Sequence, residues 1–315
     1  MSNPYDYAID PEGCDTANKV LRWVGEGRRV LELGTAAGVM TRELHRQDCR
    51  VTGIEFVAEM AAEAEPWCER MVVADLETVD FAPFFADGAF DTIVAADVLE
   101  HLRNPEAVLD KLRLQAGAQT ELIVSVPNVA YAGLVAGLVR GEFRYREKGL
   151  LDQTHVRFFT RSSLEWMLLR SGWMALEWDA HRVPVERSEF FGDWVSLDPG
   201  SREAIAQKPD SDAYQFLVRA RPASESAIAE RLRREADVLE GRLQALQCDY
   251  DARVARHEED LAALKEHQKA FAEARVLLET LQREKSPSWL DPRDRRLLPA
   301  LARQLYRLAV RLGGP

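Results

Sequence analysis

Paired cysteines are absent from this sequence of 315 residues. Its four cysteines stand singly, and none has a second cysteine or histidines beside it at the spacing of zinc ligands. Structural zinc sites and disulfide frameworks require such sets. The sequence therefore predicts neither, and we expect no metal site from it.

Long apolar runs and an excess of positive charge are also missing. No stretch approaches the roughly 18 to 20 apolar residues that a membrane-spanning helix needs, and residues 1–7 lack the basic and apolar regions of a signal peptide. Lys and Arg number 41 against 52 Asp and Glu, which gives a net charge of −11. Affinity for nucleic acid comes largely from cationic side chains that neutralise phosphates. We therefore expect a cytoplasmic protein that does not bind nucleic acid.

Between residues 28 and 126, short β-branched or apolar runs alternate with helical stretches. This alternation is typical of βαβ units on a parallel sheet, and two later runs extend it. The predicted fold class is α/β, with a doubly wound, mostly parallel sheet of seven strands. The predicted strands span residues 29–33, 50–55, 70–74, 90–95, 120–126, 174–181 and 214–220.

A change of composition at Pro222 ends the predicted catalytic domain, residues 1–222. Residues 223–285 place apolar side chains at spacings of three and four among many charges, as in a coiled coil or a long amphipathic helix. This pattern predicts a homo-oligomer that assembles through the helix. Its apolar positions are Leu232, Leu239, Leu243, Leu246, Tyr250, Leu261, Leu264, Phe271 and Leu278.

Residues 286–315 form a third predicted segment, in which six arginines oppose two aspartates. A helix around residues 299–312 would carry leucines on one face and arginines on another. A basic amphipathic helix of this kind binds an anionic membrane surface or a partner. Two interpretations stay open: peripheral contact with the inner face of the membrane, or packing on the chain's own dimer.

A glycine-bearing turn, from Gly34 to Gly38, follows the first predicted strand. Such a turn opens the ligand crevice of a doubly wound sheet, in nicotinamide enzymes as in others. The GxGxxG spacing of nicotinamide enzymes is absent here, and Glu32 lies in the strand end, where it could meet a cationic amino group. Acidic residues follow the next three strands in turn: Glu55, Asp75 and Asp97.

Together these segments resemble the motifs of class I S-adenosylmethionine-dependent methyltransferases. The resemblance implies that Glu32 and the turn with Gly34, Ala36 and Gly38 contact the methionine part of S-adenosylmethionine. It further implies contacts between the chain and the nucleoside part of the cofactor. Glu55 takes the ribose hydroxyls, Phe56 lies against the adenine, Asp75 accepts from the adenine amino group, and Leu76 flanks the ring. Asp97, after the fourth strand, is a further cofactor-binding residue. Ala36 departs from the family pattern, which usually has glycine there.

Two further segments, residues 140–145 and 149–160, resemble a subgroup of these methyltransferases associated with bacterial surface-polysaccharide and other glycan pathways. The resemblance covers about residues 28–222 and does not reach the helical extension. It implies an acceptor that bears a hydroxyl group, with a sugar of a glycan or lipid-linked glycan as the leading interpretation.

Methyl transfer to a hydroxyl group requires removal of a proton from a weak acid. Histidine suits this task because its unperturbed pKa, about 6.5, is near the operating pH. His155 follows the fifth strand on the cofactor side and is our candidate general base, with Asp152 to orient it. His101 follows the fourth strand and is the second candidate.

Three other functions stay open at this stage. The acceptor could be a small aromatic or quinone-like hydroxyl compound, since several tryptophans offer apolar surface. A non-catalytic scaffold is suggested by Ala36 and the long extension. A nicotinamide dehydrogenase is disfavoured by the glycine spacing.

Overall fold

The computed structural model describes residue 13 and residues 15–283. The predicted basic helix at residues 299–312, and with it the third predicted segment, lies outside the described residues. Residue contacts divide the chain into a first unit that ends at Arg231 and a second that begins at Leu232.

The first unit is built on one sheet of seven strands, as predicted. The strand order is β3-β2-β1-β4-β5-β7-β6, with β1 to β5 parallel and β7 antiparallel to both of its neighbours. Every observed strand end lies within two residues of its predicted position. The strands are β1 (Arg29–Leu33), β2 (Arg50–Glu55), β3 (Arg70–Val73), β4 (Thr92–Ala96), β5 (Glu121–Pro127), β6 (Trp173–Arg182) and β7 (Ala213–Pro222).

Helices flank the sheet, and two of them begin at side-chain caps. The Asn104 side chain accepts a hydrogen bond from the Ala107 amide, and the Thr160 side chain accepts one from the Ser163 amide. Among the described residues the helices are α1 (Thr16–Val24), α2 (Val39–Arg46), α3 (Ala58–Ala64), α4 (Pro105–Gln115), α5 (Ala132–Val139), α6 (Arg161–Arg170), α7 (Phe191–Val195), α8 (Pro199–Ala206) and α9 (Glu225–Arg283).

The core lies on both faces of the sheet because successive side chains of a strand point to opposite faces. In β1, Leu31 and Leu33 join the larger apolar cluster, whereas Val30 joins the smaller one, which packs on α1. Both clusters are nearly solvent-free, as expected for a parallel sheet covered on both sides. The five parallel strands, β1 to β5, all have their carboxyl ends at the same edge of this buried sheet.

The described part of the second unit is the continuation of α9 to Arg283. Many of its apolar side chains are exposed, including Leu243, Leu246, Tyr250 and Phe271. None of the described helices combines the length and apolar character needed to cross a membrane. Self-association through α9 stays a prediction.

Asn128 fixes the chain where it leaves β5. This fully buried side chain donates hydrogen bonds to the carbonyl oxygens of Ala213 (2.8 Å) and Asp210 (3.2 Å) and accepts one from the Ala130 amide (2.9 Å). Its backbone also bridges to Phe159, so that the segment after α5 returns to the end of the sheet.

We predict that Asn128→Ala lowers the free energy of unfolding by about 2 to 3 kcal/mol, because it leaves buried carbonyl and amide groups without partners. Urea denaturation followed by circular dichroism measures the change. Exposed Gln119→Ala is the control, expected to shift stability by less than about 0.5 kcal/mol. Equal effects of the two variants would contradict the role of Asn128.

Candidate active site

The turn after β1 has the backbone conformation of a ligand-binding loop. Gly34, Ala36 and Gly38 all have positive φ angles of 66°, 45° and 81°. A Cβ on Gly38 would lie 2.7 Å from the Ala64 Cα, and one on Gly34 would lie 2.9 Å from a Val98 methyl group. Both glycines are therefore required by packing as well as by conformation.

Ala36 adopts a left-handed conformation that costs an L-residue roughly 1 to 2 kcal/mol. The loop holds it there through a hydrogen bond from the Ala36 amide to Glu55 Oε2, at 2.8 Å. The departure from glycine is accommodated with the turn intact.

Glu55 is the last residue of β2, and its carboxylate already accepts two hydrogen bonds. Its carboxylate accepts from the amides of Ala36 (2.8 Å) and Val57 (2.9 Å), one at each oxygen. An ionised carboxylate offers about four lone-pair positions, so about two are left. These suit a pair of vicinal hydroxyls, such as those of a ribose.

Glu32 is 3% exposed, and its Oε2 has no hydrogen-bond partner among the described residues. Burial raises the pKa of its carboxyl to about 8, and the negative charge of Glu55 adds to the rise. A buried carboxyl with an unused oxygen fits the ammonium group of a methionine moiety. The cofactor implied by the sequence thus matches the donor and acceptor groups present.

The remaining cofactor candidates differ in exposure. Phe56 is 71% exposed, leaving its ring open to a ligand. Asp75 uses one carboxylate oxygen to accept from the Glu77 amide at 2.8 Å. Leu76 instead packs into the larger core cluster and is 8% exposed, so little of its side chain is available to flank an adenine ring.

Asp97 turns the chain after β4, with a φ of 54°. Its carboxylate accepts from the Ser125 hydroxyl at 2.8 Å and from the Gln215 amide group at 2.9 and 3.0 Å. The side chain is thereby tied to β5 and β7, and its position at the crevice is fixed from two strands.

A second group of ionisable side chains lies beyond the end of β4. Glu100 and His101 belong to a short turn after that strand, and His155 comes from the segment that follows α5. The Glu100 carbonyl accepts from the amides of Val156 (2.8 Å) and Arg157 (3.0 Å). The His101 and His155 rings consequently meet edge to face, with centroids 4.8 Å apart.

The hydrogen bonds of His155 define its protonation. Its Nδ1 lies 3.1 Å from the Leu150 carbonyl oxygen, which can only accept, so the proton is on Nδ1 and the Nε2 lone pair is free. Burial lowers the pKa of His155 below the usual 6.5. The ring is therefore neutral near neutral pH, as a general base or a metal ligand must be.

The Asp152 carboxylate is linked by hydrogen bonds to His101 and not to His155, which corrects the orienting role predicted from the sequence. The Thr154 hydroxyl donates to Asp152 Oδ1 at 2.6 Å and so must accept from His101 Nδ1, 3.0 Å away. The Asp152 carboxylate thus sets the tautomer of His101 through Thr154. The His155 backbone amide, by contrast, donates to the Asp152 carbonyl.

Glu100 was not predicted as a site residue. It is 1% exposed, and neither carboxylate oxygen has a hydrogen-bond partner among the described residues. Burial raises the pKa of Glu100 well above its usual value, and the negative charge of Asp97 adds to this. The sequence shows an acidic residue before His101, but not that it would be buried beside His155.

Three aromatic rings on the segment after α5 form a cluster, and one of them, Phe158, lies three residues after His155 in the sequence. Phe143 contacts Tyr145 and Phe158, with ring centroids 5.4 and 5.6 Å apart. Phe143 and Tyr145 are 40% and 55% exposed. The cluster, Phe143, Tyr145 and Phe158, offers an apolar surface on the segment that carries His155.

Comparison with known proteins shows the family of the chain. A family described as "Methyltransferase domain" matches residues 6–177. The ubiquinone biosynthesis O-methyltransferase of Xylella fastidiosa is 28% identical over 143 residues, which are 44% of this chain and 57% of the relative. The protein of the same name from Psychrobacter arcticus is 27% identical over 157 residues, 46% of this chain and 59% of the relative. The chain therefore spans less than two thirds of the length of these relatives.

Solved structures of methyltransferases are also similar. The magnesium protoporphyrin IX methyltransferase of Synechocystis, solved with bound S-adenosylhomocysteine, has a TM-score of 0.45 at 16% identity, covering 66% of this chain and 82% of its own. A SAM-dependent methyltransferase from Aquifex aeolicus has a TM-score of 0.43 at 16% identity, covering 65% and 88%.

We predict that Ala36→Gly raises the free energy of unfolding by roughly 1 kcal/mol, because it relieves the left-handed backbone of an L-residue. Ala37→Gly is the matched control, since Ala37 is not among the residues with positive φ. It is expected to destabilise by roughly 0.5 to 1 kcal/mol. Urea denaturation of both variants checks the opposite signs.

We predict that binding of S-adenosylmethionine near neutral pH releases up to about one proton per chain, because Glu32 is largely protonated beforehand and ionises against the ligand's ammonium group. Calorimetric titration in buffers of different ionisation enthalpy measures the release. Glu32→Gln should abolish it, and surface Glu63→Gln should not. Unchanged release in Glu32→Gln would assign the proton to another group.

Proposed function

Because the chain belongs to the methyltransferase-domain family and uses S-adenosylmethionine, we propose that it methylates a hydroxyl oxygen of a small aromatic, quinone-like acceptor. Its domain match covers more than half of the chain, residues 6–177. The single observation that carries the choice of acceptor is the group of relatives named ubiquinone biosynthesis O-methyltransferase.

The aromatic cluster supports an aromatic acceptor. Edge-to-face ring pairs are favourable, and a planar acceptor ring could add to the exposed faces of Phe143 and Tyr145. Phe158 connects this surface to the segment of His155, only three residues away in sequence. An acceptor ring held there would bring its hydroxyl toward the histidine pair.

The bound cofactor supplies the electrophilic methyl group. The chain supplies the groups that prepare the acceptor oxygen, which must lose its proton for transfer to be efficient. His155 is neutral, keeps its Nε2 lone pair free and is held by Leu150, so it is the residue we assign to activation of the hydroxyl. His101 lies against it and is oriented in turn by Thr154.

A sugar hydroxyl, our leading prediction from the sequence, is the second acceptor class to test. Its basis is the resemblance of residues 140–145 and 149–160 to glycan-associated methyltransferases. Sugars also lie against aromatic rings, so the cluster alone does not separate the two classes. A test must therefore offer both acceptors to the same enzyme.

We predict methylation of a prenylated catechol by the full chain, with a reaction far slower, or absent, on rhamnosides and mannosides. Transfer of an isotope-labelled methyl group from S-adenosylmethionine, with product identified by mass spectrometry, is the measurement. His155→Ala should lower kcat by about 10²- to 10⁴-fold, the usual contribution of acid–base catalysis. Cofactor affinity should be unchanged.

Exposed His257→Ala on α9 is the control for loss of a histidine. Activity of the unaltered chain should fall as the pH drops through the pKa of His155, which lies below 6.5, because the protonated ring has no free lone pair. Preferential methylation of glycosides would replace the quinone-like acceptor by the sugar. No transfer to any acceptor, with cofactor bound, would reject both.

A further inference from the structure

The apolar stripe of α9, residues 232–271, is exposed along most of its length within the single chain. A contiguous exposed apolar surface marks an interaction site on a protein. We propose that the stripe pairs with the same stripe of a second copy of this chain, as a parallel two-stranded coiled coil with the helices in register. Its members that are more than half exposed are Leu239, Leu243, Leu246, Tyr250, Leu264 and Phe271.

The spacing of the stripe is that of a two-stranded coiled coil. From Leu239 to Tyr250 the apolar side chains follow one another at steps of four, three and four residues. Leu261 begins a second block, eleven residues after Tyr250, which is close to three helical turns, so both blocks lie on one face of α9. Steps that alternate between three and four residues let two helices wrap around each other and bury the stripe.

The charges beside the second block complement a second copy of the same helix. In a parallel pair, the residue before the first apolar position of a repeat faces the residue five positions later on the partner helix. Arg253 then faces the partner's Glu258, and Asp260 faces the partner's Lys265. Both contacts join opposite charges, and symmetry makes each of them twice. Arg253 uses only its Nε for Asp249, at 2.9 Å, so its terminal nitrogens are available.

Gln268 aligns the two helices. It is the polar residue of the stripe between Leu264 and Phe271. In a parallel pair in register it faces the partner's Gln268, and each amide group can both donate and accept a hydrogen bond. A single amide side chain at such a position is known to specify register and strand number in coiled coils.

An antiparallel pair centred on Tyr250 is the main alternative, and it contains two mismatches. Opposite charges meet at one edge of such a pair, but at the other edge Glu240 faces the partner's Glu258. Gln268 would face the partner's Leu232, which offers no hydrogen bond to its buried amide group. The parallel arrangement avoids both mismatches.

The first test measures the mass of the full chain by sedimentation equilibrium, with the expected result of twice the mass of one chain. Leu246→Glu should weaken dimerisation by at least about a hundredfold, because two leucine side chains, one from each chain, lose their burial. Ala245→Glu is the matched control. It adds the same charge one residue earlier, outside the stripe, and should leave the dimer intact.

The second test measures orientation by disulfide trapping in the full chain with Cys14 and Cys248 replaced by serine. Leu264→Cys should form a disulfide with itself across the dimer under mild oxidation, because facing stripe positions of a parallel pair lie within disulfide range. In the antiparallel pair the two cysteines would be roughly 40 Å apart. Ala263→Cys, one residue earlier and outside the stripe, is the control and should not form the disulfide.

Circular dichroism and S-adenosylmethionine binding show that each variant is folded, and Leu243→Glu replaces Leu246→Glu if that variant fails to fold. A monomeric full chain, or an assembly larger than two chains, overturns the proposal. A dimer that the glutamate substitution leaves unchanged places the interface outside α9 and also overturns it. A dimer that depends on Leu246 but is not trapped by Leu264→Cys rejects the parallel arrangement.

Discussion

The backbone carbonyl of Glu100 is the contact on which the candidate site depends. It accepts hydrogen bonds from the amides of Val156 and Arg157 and so joins the end of β4 to the segment that returns after α5. Asn128 secures the other end of this segment through the backbone bridge to Phe159. Without these contacts the segment that carries His155 would not be bonded to the end of the sheet. His155 would then not be held beside Glu100 and His101.

Two carboxyl groups are buried near the carboxyl ends of the parallel strands. Glu32 and Glu100 are both nearly solvent-free, and each has at least one oxygen with no hydrogen-bond partner among the described residues. Burial raises the pKa of both, which is the cost of removing an ionised carboxylate from water. A bound cation offsets the free energy that is needed to bury an ionised carboxylate. The ammonium group of S-adenosylmethionine would do so for Glu32.

Local patterns predicted the strands well because each is a short apolar run bounded by turn residues. β1 and β2 have the predicted bounds, and α4 and α6 begin at Asn104 and Thr160, residue types that commonly cap helices. The turn from Gly34 to Gly38 was predictable for the same reason, since its residues are consecutive. What local patterns could not give was burial. Leu76 looked available to a ligand, yet its side chain belongs to the core.

The meeting of Glu100 with His155 was also beyond the sequence, because 54 residues separate them and nothing in either segment specifies the pairing. The same limit explains Asp152. Proximity in sequence suggested that it orients His155, but the turn directs its carboxylate to Thr154 and so toward His101. Contacts between distant segments follow from how the returning chain bonds to the sheet edge, which only three-dimensional structure reveals.

The long helix raises a separate energetic question. The 59 residues of α9 would span about 88 Å, and ion pairs along it, such as Arg253 with Asp249, contribute only a few tenths of a kcal/mol each. Most helical stability in proteins comes from packing of an apolar face. Leu243, Leu246 and Phe271 remain more than half exposed within the single chain. Burial of this face against a second copy would offset the cost of ordering the helix, which is the physical basis of the predicted homo-oligomer.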